Sequence, residues 1–209
     1  MTRFVTVNPI NLGWLEYKLD DREMDYLWRC VDKKKQNVAK GDTYDLKDTG
    51  NWFFDNTILP AIEEYHKEYS EIEFPVSCEH SYYMSRWWVN YQKQYQFNPI
   101  HDHTGIYSFV IWMKIPYDSR VQGLKHKFSD LTTAISPSDN QARLGCFQFN
   151  YINILGKTTP WTYYLNKSLE GTMLFFPSKL QHQVYPFLNC DGERISISGN
   201  ILLNTSRVL

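Results

Sequence analysis

Arg194-Ile195-Ser196-Ile197-Ser198-Gly199-Asn200 alternates polar and apolar residues along most of its length. A period of two belongs to a β-strand, because successive side chains leave a strand on opposite faces. Arg194, Ser196, Ser198 and Asn200 therefore share one face, and Ile195, Ile197 and Ile201 the other. Two readings stay open. Turned inward, the polar face makes a carboxylate site, since a guanidinium grips a carboxylate as a two-pronged fork and a serine hydroxyl adds a donor. Turned to solvent, it leaves the isoleucines to the core.

Working outward, the same β-branched and aromatic richness recurs from about Ser81 onward. Tyr82–Tyr91, Ile106–Ile115, Cys146–Ile152, Trp161–Leu165, Thr172–Phe176, Gln183–Tyr185 and Ile195–Leu203 read as strands, separated by Gly, Pro, Asn and Asp. Short strands in series predict an antiparallel sandwich or jelly roll. The first 80 residues read instead as helical support. Asp20 or Asp21 caps a helix with Met24, Leu27, Trp28 and Val31 on one stripe, and Lys33, Lys34 and Lys35 at its end. A second helical region runs from Trp52 to Tyr69, kinked or restarted at Pro60. His66, on that segment, reads as a surface histidine. Tyr117 to Leu144 is long, polar and mixed in charge, which suits a lid, and its His126 reads as solvated. The whole chain reads as a single domain.

The 209 residues include 43% hydrophobic and 16% aromatic side chains, unlike a disordered chain and sufficient for a core. A net charge of −1 gives no reason to expect nucleic acid or an anionic membrane as partner. Cys30, Cys78, Cys146 and Cys190 are scattered without a CxxC pair, against a structural zinc site and in keeping with a reduced, cytoplasmic setting. No apolar run has the length of a membrane span, and Met1–Val5 opens no signal-peptide core.

His101 and His103 lie two apart, so on a strand both imidazoles face one way and Asp102 faces the other. Such a pair can grip one metal, with His182, after the run Thr172–Pro177, as the best third candidate. Taken singly, each histidine is equally at home as a hydrogen-bonded or surface residue.

Together, Trp88-Val89-Asn90, His101-Asp102-His103, Ser108, Phe176-Pro177-Ser178, His182-Gln183-Val184-Tyr185-Pro186 and Arg194–Asn200 resemble the iron(II)- and 2-oxoglutarate-dependent oxygenases. The likeness is nearest to the prolyl-hydroxylase-like group of bacteria and marine phages. It implies a mostly β fold with N-terminal helices: a double-stranded β-helix with the helices packed on one sheet. It implies iron(II) held by His101, His103 and His182, and 2-oxoglutarate held at its distal carboxylate by Arg194 with Ser196. Tyr91 sits where that group often places a tyrosine on the co-substrate. O2 and a substrate that the sequence does not name complete the reaction, a hydroxylation. No catalytic residue beyond the metal ligands is implied.

The family pattern is HxD…H, and here His103 stands at the carboxylate position. Three assignments follow: a three-histidine site; Asp102 as ligand from an irregular strand end; or His103 as first ligand with Gly105 leaving a position open, as in halogenases. A metal-binding sandwich without turnover, and a three-histidine dioxygenase that uses no 2-oxoglutarate, remain as other functions.

Overall fold

The computed structural model describes residues 11–33, 43–69, 81–125 and 143–204. The eight successive strands β3 (Tyr82–Gln92), β4 (Asn98–His101), β5 (Tyr107–Lys114), β6 (Phe147–Ile152), β7 (Thr158–Tyr163), β8 (Thr172–Pro177), β9 (Gln181–Val184) and β10 (Arg194–Leu203) are divided between two antiparallel sheets. With β1 (Leu15–Lys18) and β2 (Thr43–Asp45) at its edges, the larger sheet runs β1-β8-β5-β10-β3-β2. The smaller runs β4-β9-β6-β7. This is the expected jelly roll, a sheet folded over on itself.

Both faces of the larger sheet are covered. On one face, Val89, Ile111, Phe175, Ile197 and Ile201 pack against Leu27 and Val31 of α1 (Asp21–Lys33) and Ile62 and Tyr65 of α2 (Leu59–Glu68). On the other, Val110, Trp112, Leu174 and Phe176 meet Phe147 and Phe149 of the smaller sheet. Burying such a side chain contributes about 1.5–3 kcal/mol, so two apolar layers hold the central strands. That is why β5 reads as an apolar run broken only by Ser108: Tyr107 through Met113 are all buried.

Asp20 is the cap of α1. Its carboxylate accepts from Glu23 N at 2.8 Å, and Glu23 Oε2 accepts from Asp20 N at 2.8 Å, a reciprocal capping box. Glu23 is itself buried and accepts from Thr57 Oγ1 at 2.6 Å, tying α1 to the π-helical turn Phe54–Ile58. Pro60 falls in the first turn of α2, where the π-helical turn Phe54–Ile58 gives way to the α-helix.

Several expectations need correcting. The first 80 residues contribute β1 and β2 besides helices, strands too short to show alternation. β4 is a further strand, one that tolerates Pro99 because it lies at a sheet edge. β7 starts earlier than expected, again with a proline tolerated at an edge. His66 is half-buried and not freely solvated: its Nε2 lies 3.2 Å from Tyr82 Oη and 3.1 Å from Tyr107 Oη, and burial lowers its pKa. The stretch after Tyr117 is not all loop, since α3 occupies Ser119–Lys125. Lys34, Lys35, Cys78, His126 and most of the expected lid lie outside the described residues. Among those described, Cys30 and Cys146 are buried and Cys190 is half-buried, and no helix is long and apolar enough to cross a membrane.

Candidate metal centre

His101 closes β4 directly opposite His182 of β9. His103 lies beyond the strand end, where its backbone N–H donates to the Ser178 carbonyl at 2.9 Å. Ser178 is fixed in turn. Its hydroxyl lies 3.0 Å from Ser108 Oγ, which donates to Asn200 Oδ1 at 3.0 Å. Ser108, Ser178 and Asn200 thus tie β5, the turn after β8 and β10 together beneath His103. Asn200, placed on the polar face with Arg194, serves this support and does not line the cavity.

One ligand atom from each of His101, His103 and His182 lies within 4.8 Å of the others. His101 Nδ1 meets the Pro99 carbonyl at 2.7 Å and His182 Nδ1 the Leu180 carbonyl at 3.0 Å. A carbonyl only accepts, so each Nδ1 carries the proton and each Nε2 keeps its lone pair for the cavity. His103 Nε2 and His182 Nε2 are 3.2 Å apart. Burial first, then the His101 ring, lowers His103 to about 4. Burial lowers His182 to about 3, its bond to Leu180 opposing and the other two imidazoles adding to the fall. Both are neutral near pH 7, the form that binds a metal. Phe147 stacks on His182 with centroids 5.5 Å apart, and Trp88 lies 6.0 Å from His103. Converging neutral imidazoles in an apolar collar fit iron(II), among other divalent metals.

Asp102 points away and pairs with Lys179 at 3.3 Å, both side chains substantially exposed. Gly105 has φ +104, and a Cβ there would lie 2.6 Å from the Ile201 carbonyl oxygen, so it serves the turn against β10. The geometry favours His101, His103 and His182 over the assignments through Asp102 or Gly105.

The polar face of β10 turns inward: Arg194, Ser196 and Ser198 line the same cavity as the three histidines. Arg194 is buried, 3% exposed, and its bonds go to neutral oxygens. Nη1 donates to Tyr117 Oη at 2.7 Å and Nη2 to Gln92 Oε1. Among the described residues no carboxylate pairs with it. A buried cation without a counter-charge is costly, so this seat suits an anion. One cavity therefore holds both the three imidazoles and the buried guanidinium, a donor set in keeping with a metal and an acidic co-substrate.

Tyr91 is a correction. The register sets it opposite Ile195, on the helix side of the sheet, where it packs edge-on against Tyr44 with centroids 5.9 Å apart. Its neighbours Asn90 and Gln92 have the cavity parity instead. Tyr117 supplies the tyrosine beside Arg194, and nothing in its sequence setting pointed to it. Gln92 could have been found by extending the Trp88-Val89-Asn90 alternation one step.

A jelly roll with converging imidazoles and a buried arginine between its sheets defines the class of non-haem metal oxygenases that use an acidic co-substrate. Residues 86–200 match the family described as "Putative 2OG-Fe(II) oxygenase". That span is more than half of the chain, which belongs to this family and is an iron(II)- and 2-oxoglutarate-dependent oxygenase. Among solved structures, a Pseudomonas putida prolyl-4-hydroxylase is similar, with TM-score 0.51, 13% identity and coverage of 92% of this chain and 93% of that one. So is the non-heme alpha ketoglutarate dependent epimerase SnoN from nogalamycin biosynthesis, with TM-score 0.53, 13% identity and coverage of 91% and 77%. At such identity these likenesses show the fold alone. No curated protein sequence matches.

Proposed function

We propose that His101, His103 and His182 hold iron(II), that Arg194 with Ser196 holds the distal carboxylate of 2-oxoglutarate, and that the protein hydroxylates a substrate still to be identified. Bound iron(II) would supply the redox chemistry, in which O2 and 2-oxoglutarate yield succinate and CO2 while the second oxygen atom goes to the substrate. The chain's own share is orientation. The Nδ1–H bonds to Pro99 and Leu180 fix the imidazole tautomers, and Phe147 and Trp88 limit water around the rings. Tyr117 and Gln92 hold the guanidinium for its anion.

The observation that carries this reading is Arg194: buried, bonded to neutral oxygens, and in one cavity with the histidines. It speaks against a three-histidine dioxygenase without 2-oxoglutarate, which has no use for a buried cation there. Iron-loaded protein is expected to release succinate from 2-oxoglutarate, and Arg194→Ala to abolish the release. Neither binding nor consumption of 2-oxoglutarate by the loaded wild type would remove the basis for the reading.

A further inference from the structure

Gln92, at the end of β3, sits opposite Arg194 and has its side-chain amide engaged at both ends. Its oxygen accepts from Arg194 Nη2, and its nitrogen donates to the Gln96 backbone carbonyl at 2.5 Å. The Gln96 side-chain oxygen accepts in turn from Lys93 N at 2.8 Å. One side chain thus joins the carboxylate seat to the turn between β3 and β4.

That turn has two further properties. Tyr95 adopts φ +67, a region that a bulky residue rarely occupies, and its N–H donates to the Phe187 carbonyl at 3.0 Å. The strained backbone presents Tyr95 and Phe97 to solvent, 58% and 62% exposed. Both border a groove of about 470 Å³ that shares Asn90, Gln92 and Asn98 with the metal cavity and, among the described residues, has no charged side chain in its lining.

We propose that Gln92 is a positioning residue that passes co-substrate binding at Arg194 to the Lys93–Phe97 turn, so that the neutral aromatic groove becomes ordered for substrate only once 2-oxoglutarate is seated. The inference rests on the assignment of Arg194 to 2-oxoglutarate. A guanidinium has five N–H donors, so a carboxylate can bind while Tyr117 and Gln92 stay in place. A charged acceptor on Arg194 fixes that side chain, and the chain from guanidinium to Gln92 to the Gln96 carbonyl is held with it. Linkage makes the effect reciprocal: a ligand that orders the turn tightens 2-oxoglutarate.

The test is amide hydrogen exchange on the full-length, iron(II)-loaded protein without oxygen, with and without 2-oxoglutarate, beside calorimetric titration. In the wild type, exchange across Lys93–Phe97 is expected to slow by roughly fivefold or more, the lower end of ordinary coupling between sites. In Gln92→Met, 2-oxoglutarate is expected to bind more weakly, and at saturating 2-oxoglutarate the turn no longer responds. Binding heat with an indifferent turn in the wild type overturns the inference alone, as does a response that survives in Gln92→Met. No binding heat in the wild type overturns the assignment of Arg194 and this inference with it. The wild-type comparison decides the matter even if the variant fails to fold.

Discussion

His103 Nε2 stands 3.2 Å from His182 Nε2, although the two residues come from different strands' ends. At that distance either one ring N–H donates to the other ring's lone pair, or both lone pairs face a single cation.

Changing His103 tests the seat. Loss of a supporting outer partner commonly weakens a metal site about 10–100-fold, and loss of a direct ligand should cost no less, so His103→Ala is expected to lose iron to that degree. His103→Asp restores the two-histidine, one-carboxylate set and is expected to retain iron. Metal analysis after dialysis checks both, and full iron retention in His103→Ala would remove His103 from the ligand set.

Tyr117→Phe leaves Arg194 with one neutral acceptor fewer. The cost is expected to be about 1–3 kcal/mol in the absence of co-substrate. Because the carboxylate of 2-oxoglutarate is a better acceptor than the lost hydroxyl, ligand-induced stabilisation should survive. Thermal denaturation with and without 2-oxoglutarate reads both effects. An unchanged midpoint would mean that Arg194 does not depend on this bond.

Gly199→Ala is expected to destabilise by about 1–3 kcal/mol through overpacking. A Cβ there would lie 2.5 Å from the Phe109 ring and 2.9 Å from Trp87 Cβ, on the helix side of the sheet. Iron content of the folded fraction should be normal, since the clash lies on the face away from the metal. Equilibrium denaturation is the measurement. Wild-type stability would show that Phe109 moves aside freely.

His66 predicts a pH dependence. Burial lowers its folded pKa below the ordinary value of about 6.5, so the unfolded chain binds the proton more readily. Stability from keeping His66 neutral is fully present above about pH 6.5 and is lost as pH falls from there toward the folded pKa. In iron-loaded protein, wild type should lose stability between pH 7.5 and pH 5.5 faster than His66→Gln. Parallel pH profiles would refute this.

Glu23→Ala removes the acceptor for Asp20 N, Thr57 Oγ1 and Tyr17 Oη together. Cap loss alone costs about 0.5–2 kcal/mol, and the buried Thr57 hydroxyl is orphaned as well. A loss larger than that of Asp20→Ala is the expected result of denaturant unfolding.

Much of the fold was legible in the sequence because the long strands bury one or both faces and so carry an apolar period or run. β10 shows the period-two signal and β5 the apolar run. β1, β2 and β4 carry no such mark, being three or four residues at sheet edges. Their pairing is decided by neighbours, not by their own pattern. Of the candidate site, His101, His103, His182, Arg194 and Ser196 were readable from spacing and family resemblance, and the structure brings all five to one cavity.

By itself the sequence determined which residue types face together along one strand, because alternation is a local consequence of backbone geometry. It could not determine which face of β10 is inside, since both faces of that strand are covered and only the position of the smaller sheet makes one a cavity. Nor could it exclude Tyr91, set Asp102 toward Lys179, or bring Tyr117 and Gln92 onto Arg194. Those contacts join residues far apart in the chain. They exist only when packing closes the two sheets on each other, and local sequence carries no record of that closure.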